Sequence, residues 1–238
     1  MNKSSPCIVP LGDQALCIQY SQLIDVDLHQ QVIKDYQKLV QHQPNFITDI
    51  IPAYCSIAVV YNFENVQKYT NTESILQFLS EWIKDCLQKI DTSFTEEKRL
   101  IKIPVCYHES FALDMQRISE GNQITIEEII QQHHSKVYRV FMLGFLPGFP
   151  YMGLVHPSIA FPRLSQPRTI VEAGSIGIAG EQTGIYPLQS PGGWNIIGRT
   201  PLQLFNSEQK DPCLLRPGDE VQFVPISLYD FNQLNATT

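Results

Sequence analysis

FMLGFLPGFPYMGLVHPSIAFPRLSQPRTIVEAGSIGIAGEQTGIYPLQSPGGWNIIGRTPLQLF, residues 141–205, decides the fold of this chain. Eleven of the 13 glycines and eleven of the 16 prolines lie at or beyond Gly144, nearly all of them inside this stretch. Gly and Pro at that density mean tight turns between short extended pieces. The pieces are β-like: TIV (169–171), SIGIA (175–179), WNIIG (194–198) and LQLF (202–205) are rich in β-branched and aromatic residues. The reading is a compact barrel or sandwich whose loops carry the function.

The charges of the stretch are selective. From Gly144 to Phe205 there is no Lys, and the charged residues are Arg163, Arg168, Arg199, Glu172 and Glu181. Arg without Lys suits fixed, bidentate contacts to carboxylate or phosphate. The competing use of each Arg is to tie a loop down through backbone carbonyls.

Working outward, residues 8–20 hold two apolar runs around Gly12-Asp13, a turn signal. Leu28, Val32, Ile33, Tyr36, Leu39 and Val40 fall on one face of a helix expected over 27–41. His29 shares that face and reads as a packed core histidine. FITDIIPAY and CSIAVVYNF are two strands, SIAVVY apolar enough to be central. A second helix is expected over 72–90 from Ile75, Leu76, Leu79, Trp82, Ile83, Cys86, Leu87 and Ile90. Strand, helix, two strands, helix is the start of a ferredoxin-like βαββαβ layer. Polar DTSFTEEKR (91–99) reads as the junction. The segment before Lys98 has 12 acidic and 6 basic residues, the remainder 12 and 11, and this asymmetry supports two domains. The boundaries are 1–92 for the first domain, 93–99 for the linker, 100–231 for the barrel and 232–238 for a polar tail.

The second half opens with the strand LIKIPVCY (100–107), then a short helix over 113–121 closed by Gly121. Thr125 and Glu128 form a capping box for the helix TIEEIIQQHH. His133 and His134 end it, placed to cap carbonyls; adjacent residues diverge on a helix, so no metal pair and no metal site is expected. YRVFML leads into the decisive stretch, and LLRPGDEVQFVPI supplies a last turn and strand.

The net charge of −7 excludes a non-specific nucleic-acid or anionic-membrane binder. No apolar run approaches the roughly 18 residues of a membrane helix, and residues 1–13 lack a secretory core, so a cytoplasmic location is expected. The six cysteines sit singly in apolar surroundings and read as small buried hydrophobes in a reducing compartment. There is no GxxxxGK[ST], GxGxxG after a strand, HExxH or GxSxG. Residue patterns alone thus give two domains, α/β then β (barrel or sandwich), with an Arg-bearing loop cluster and no reaction.

Motifs add more. PLGDQAL, IPVCY, YRVFMLGFLPGFPYMG, AGSIGIAG, QTGIYP, SPGGW, IIGRTPL and LRPGDEVQFVPI, in this order, resemble the KipI / allophanate hydrolase subunit 1 family from about Pro10 to Ile226. Glu172, Glu181 and the single Gly after Tyr151-Met152 depart from the family pattern. The resemblance implies a ferredoxin-like N-terminal domain and a cyclophilin-like barrel. It implies one component of an ATP-dependent 5-oxoprolinase, which opens the lactam of pyroglutamate to glutamate with subunits C and A. ATP is then used by the complex, and this chain is inactive alone. Related domains occur in urea carboxylase and allophanate hydrolase, and one member inhibits a sporulation histidine kinase, so the alternatives are a regulatory binding protein or a subunit of a urea carboxylase/allophanate hydrolase-type amide-processing enzyme. For the small anionic substrate, Arg163, Arg168 and Arg199 are the cation candidates. Gln182, Thr183, Tyr186 and the amides of Gly192 and Gly193 are the neutral donors. Phe145, Phe149, Tyr151, Met152 and Trp194 are the candidates for a partner interface.

Overall fold

The computed structural model describes residues 6–70, 74–89 and 99–236. The chain divides into two compact units, Met1–Glu97 and Lys98–Thr238. The linker expected at 93–99 lies outside the described residues except for Arg99.

In the first unit, a hairpin of β1 (Cys7–Pro10) and β2 (Ala15–Gln19) precedes α1 (Val26–Gln41), β3 (Ile47–Pro52), β4 (Ser56–Tyr61), α2 (Phe63–Tyr69) and α3 (Ile75–Gln88). The antiparallel sheet has the order β1-β2-β4-β3, which puts the apolar SIAVVY strand in its middle. The position beside β2 where a βαββαβ layer seats its last strand is taken by β1. Asp25 caps α1 by accepting from the Leu28 amide, and Ser74 does the same for α3 at Gln77; such caps contribute about 1 kcal/mol each. Val32 and Leu39 of α1 meet Leu79 and Ile83 of α3 in a core closed by Ile18, Ile57 and Val59 of the sheet. His29 is fully buried there. The short α2 was not expected; Asn62, whose side chain accepts from the Asn65 amide, starts it.

In the second unit, β5 (Leu100–Val105), α4 (Met115–Asn122), α5 (Ile126–His134), β6 (Val137–Leu143), β7 (Pro150–Gly153), β8 (Arg168–Val171), β9 (Ser175–Ala179), β10 (Gln182–Ile185), β11 (Ser190–Gly192), β12 (Asn195–Arg199), β13 (Glu220–Pro225) and α6 (Leu228–Asn235) follow in order. Seven strands form one sheet, β12-β9-β10-β7-β6-β13-β5, antiparallel except for β13 on β5. The sheet curls until its edges touch. Cys106, just past β5, and Arg199, at the end of β12, exchange backbone bonds of 2.9 and 3.0 Å. The remaining two strands, β8 and β11, pair separately.

The interior is built from Ile103, Val105, Tyr138, Val140, Met152, Ile176, Ile178, Ile185, Val221 and Phe223, with Met115, Ile118 and Ile129 of the two helices packed on it. The capping box of α5 forms as expected. α4 ends differently. Gly121 lies inside it, where a Cβ would run into the Phe161 ring, and Gln123 takes the left-handed position at φ 57°. α6 continues into the segment expected as a polar tail. Of the cysteines, Cys86 and Cys106 are buried, but Cys7 is exposed and Cys17, Cys55 and Cys213 are half-buried.

Candidate functional site

Strand alternation sorts the residues of β10. Thr183 and Ile185 point into the barrel, while Gln182 and Tyr186, just past the strand, line a cleft of about 680 Å³. Gly184 lies between them because the Phe149 ring rests against it; a Cβ there would stand 2.9 Å from that ring. Phe149 is the hub of the cleft wall. Its ring centroid is 4.9 Å from Tyr151, 5.2 Å from Tyr186, 5.4 Å from Trp194 and 5.7 Å from Phe145. The Trp194 and Tyr186 contacts are edge-to-face, which suits aromatic quadrupoles. Phe145, with φ 65°, holds its ring at the mouth with 63% of its surface exposed.

Pro162, Arg163, Pro167, Ala179, Gly180 and the Pro191-Gly192-Gly193 turn complete the lining. Arg163 is the only charged lining residue, and it has no hydrogen bond or ion pair with any described residue. Its guanidinium lies over Gly193, 3.2 Å from where a Cβ would be. Burial pushes the phenols of Tyr151 and Tyr186 up. The Trp194 amide and then the guanidinium groups of Arg163 and Arg168 pull Tyr186 part of the way back. Both tyrosines therefore stay protonated near neutral pH and act as donors. Among the described residues the lining contains no carboxylate, imidazole or thiol. Such a lining suits a compact ligand with an apolar body and one anionic group.

Several expected site residues lie elsewhere. Arg168 is not a free cation: its fork is filled by Asp114, at 2.8 and 2.7 Å. Asp114 is buried, and its Oδ2 also accepts from the Ile196 amide at 2.7 Å. Arg199 donates to the Ala173 carbonyl at 2.8 Å and lies over the Phe111 ring, so it ties down a loop beside the barrel seam. Thr183 is fully buried, and its hydroxyl donates to the Gly177 carbonyl. Met152 is fully buried in the barrel interior and Phe149 is 1% exposed, so neither offers surface to a partner. Tyr151 is half-buried and Trp194 is 8% exposed.

His133 does not cap its helix. Its ring stacks on Phe223 at 4.4 Å and bonds to Tyr107 (2.7 Å) and Thr183 (3.1 Å). Thr183 spends its proton on Gly177, so it accepts from His133 Nε2, and Nδ1 accepts from the Tyr107 hydroxyl. Burial, with the neighbouring His134, lowers the His133 pKa to about 3. Among the described residues no cluster of three or more His, Cys, Asp or Glu is placed to hold a metal ion, and no helix is long and apolar enough to cross a membrane.

An α/β unit followed by a curled sheet with an aromatic cleft defines the class. The chain belongs to the carboxyltransferase-domain family, subdomains C and D, whose model matches residues 6–215. It is 39% identical over 229 residues to the B subunit of 5-oxoprolinase from Bacillus subtilis (strain 168), covering 94% of this chain and 95% of that protein. The crystal structure of TTHA0988 superposes with a TM-score of 0.77 at 28% identity over 90% of this chain. This chain spans only 40% of that one. Kluyveromyces lactis urea carboxylase shares the fold, with a TM-score of 0.74 at 19% identity over 98% of this chain and 23% of that protein. These findings agree with the family resemblance carried by the motifs.

Proposed function

We propose that this chain is the B subunit of a cytoplasmic, ATP-dependent 5-oxoprolinase that hydrolyses 5-oxo-L-proline to L-glutamate with subunits C and A. Its similarity to the Bacillus subtilis B subunit, which runs nearly the full length of both chains, supports the assignment. In this reading the first unit is a ferredoxin-like layer, and the order β1-β2-β4-β3 supports it, with β1 standing in for the closing strand. The second is a cyclophilin-like barrel, supported by the curled seven-stranded sheet. The two are separate domains joined near 93–99.

One observation carries the role of the cleft: the Arg163 guanidinium, without a hydrogen bond or ion pair among the described residues, stands at an aromatic wall. The substrate offers a carboxylate and a compact five-membered lactam. Arg163 takes the carboxylate and the ring lies against Tyr151 and Trp194, which Phe149 backs. Tyr186, Gln182 and the Gly192-Gly193 amides line the same cleft and are the donor groups on the side of the lactam oxygen. ATP, used by the complex, would supply the activation: transfer of its γ-phosphoryl group to that oxygen, with ADP leaving, makes the ring carbon open to water, and phosphate leaves as the ring opens. The groups absent from this cleft come from the partner subunits.

The test is 5-oxoproline-dependent ATP hydrolysis by the purified chain, then with subunits C and A added. Turnover is expected only with the partners. Turnover by the chain alone contradicts a partial site, and none in any combination contradicts the enzyme reading.

A further inference from the structure

Arg163 sits on a loop that has little regular structure, yet its backbone is gripped on both sides. Phe161 exchanges two backbone bonds with Gly180, at 3.2 and 2.7 Å. Leu164 donates its amide to the Gly193 carbonyl at 2.7 Å. Between these anchors, the carbonyl of Pro162 accepts from Asn195 Nδ2 at 3.0 Å. Asn195 is fully buried at the start of β12, and its Nδ2 also donates to the Ile178 carbonyl at 2.9 Å. Its oxygen accepts from Arg117 Nη1, one turn into α4. That acceptance fixes which way the amide faces, because a flipped amide would set NH₂ against the guanidinium. Arg117 itself lies over the Phe161 ring, 4.7 Å from its centroid. Arg117, Asn195 and Pro162 thus form a chain of contacts from α4 to the residue before Arg163.

We infer that Asn195, oriented by Arg117, is the positioning residue for Arg163, setting where the guanidinium meets the anionic group of the ligand. This rests on the cleft reading above. A side chain held by one loop has a guanidinium only as well placed as its base, and a displacement of about 1 Å is enough to lose most of a bidentate contact. Asn195 touches no ligand; it acts through the carbonyl of Pro162. Asn is required because two carbonyls, from Pro162 and Ile178, need two donors from one small buried group, while Arg117 needs an acceptor.

The experiment is a double-mutant cycle in the assembled complex. Asn195→Asp keeps the shape and the acceptor for Arg117 but removes both donors. It is expected to raise the KM for 5-oxoproline about tenfold with kcat changed far less, and to add nothing further in an Arg163→Ala background. Additive losses in the double variant would mean that Asn195 supports the fold generally, and the inference fails. Arg117→Gln is the milder second variant, expected to move KM in the same direction by a smaller factor. A readout independent of turnover separates this inference from the functional reading. The Arg163 Nε–H resonance of the isotope-labelled chain, assigned by its loss in Arg163→Ala, should shift in Asn195→Asp and in Arg117→Gln. An unmoved resonance in both overturns the positioning role. A moved resonance with a KM indifferent to Arg163→Ala keeps the positioning role and removes the substrate assignment of the cleft.

Discussion

The two faces of β10 use similar side chains to opposite ends. On the inner face Thr183 meets His133, His133 meets Tyr107, and each named polar atom has a partner. On the outer face Tyr186 and Gln182 look across the cleft at Arg163, whose guanidinium has no hydrogen bond or ion pair among the described residues. Burial makes an unpaired polar group costly, so the inner set is closed on itself. On the outer side Arg163 keeps its donor capacity unspent, which is what a binding site requires. The same contrast divides the arginines of residues 141–205. Arg168 and Arg199 are spent on Asp114 and Ala173, while Arg163 has no such partner among the described residues.

The largest expected effect falls on a spent arginine. Arg168→Ala leaves the buried Asp114 carboxylate, among the described residues, with the Ile196 amide alone. Breaking a buried pair from one side costs about 3–5 kcal/mol, and the partial exposure of Arg168 places the loss near the lower figure. Thermal unfolding should show the melting temperature falling by about 6–12 °C. A melting temperature within about 2 °C of wild type would mean that Arg168 is not structural.

The inner face gives the next effect. His133 is neutral in the folded chain, with its pKa lowered to about 3 from 6.5. The unfolded chain therefore takes up a proton that the folded chain refuses between these values. Stability should fall as pH drops below about 6.5, by up to roughly 1.4 kcal/mol per pH unit, until His133 titrates in the fold. Denaturant unfolding at stepped pH should show this slope in the wild type, and His133→Gln should reduce it by that amount. Equal slopes in the two proteins would contradict the closed inner network.

The smallest effect probes the outer face. A methyl group at Gly193 meets only the mobile end of Arg163, at 3.2 Å, and Pro167 beyond it. Gly193→Ala should leave the melting temperature unchanged and raise the KM of the assembled complex for 5-oxoproline about fivefold. An unchanged KM would mean that the guanidinium over Gly193 is not in its working position.

Much of this contrast was legible in the sequence, because Gly and Pro concentrate where strands are short and side chains crowd a turn. The cleft residues Arg163, Gln182, Tyr186, Gly192 and Gly193 all come from that stretch. Period-2 alternation already implies that Gln182 and Thr183 cannot share a face, nor Tyr151 and Met152, and this signal separates lining from core. The partners of the arginines were not legible. Asp114 and Arg168 are 54 positions apart, and Arg117 and Asn195 are 78 apart. No local pattern marks such pairs; only the closed barrel brings α4 against β8 and β12. The first unit was legible in its helices, since α1 and α3 carry a clean apolar period, but not in its edge strand. A short hairpin at the N-terminus reads the same whether it lies at the edge or the centre of a sheet.

The most direct test of the account is kcat/KM for 5-oxoproline in the assembled complex carrying Arg163→Ala. The account predicts a loss of at least about tenfold, roughly 1.4 kcal/mol of transition-state stabilisation, with an unchanged melting temperature. Arg163→Lys should recover little of it, since an ammonium cannot reproduce the planar fork. Wild-type kcat/KM in Arg163→Ala would contradict the claim that this cleft receives the substrate.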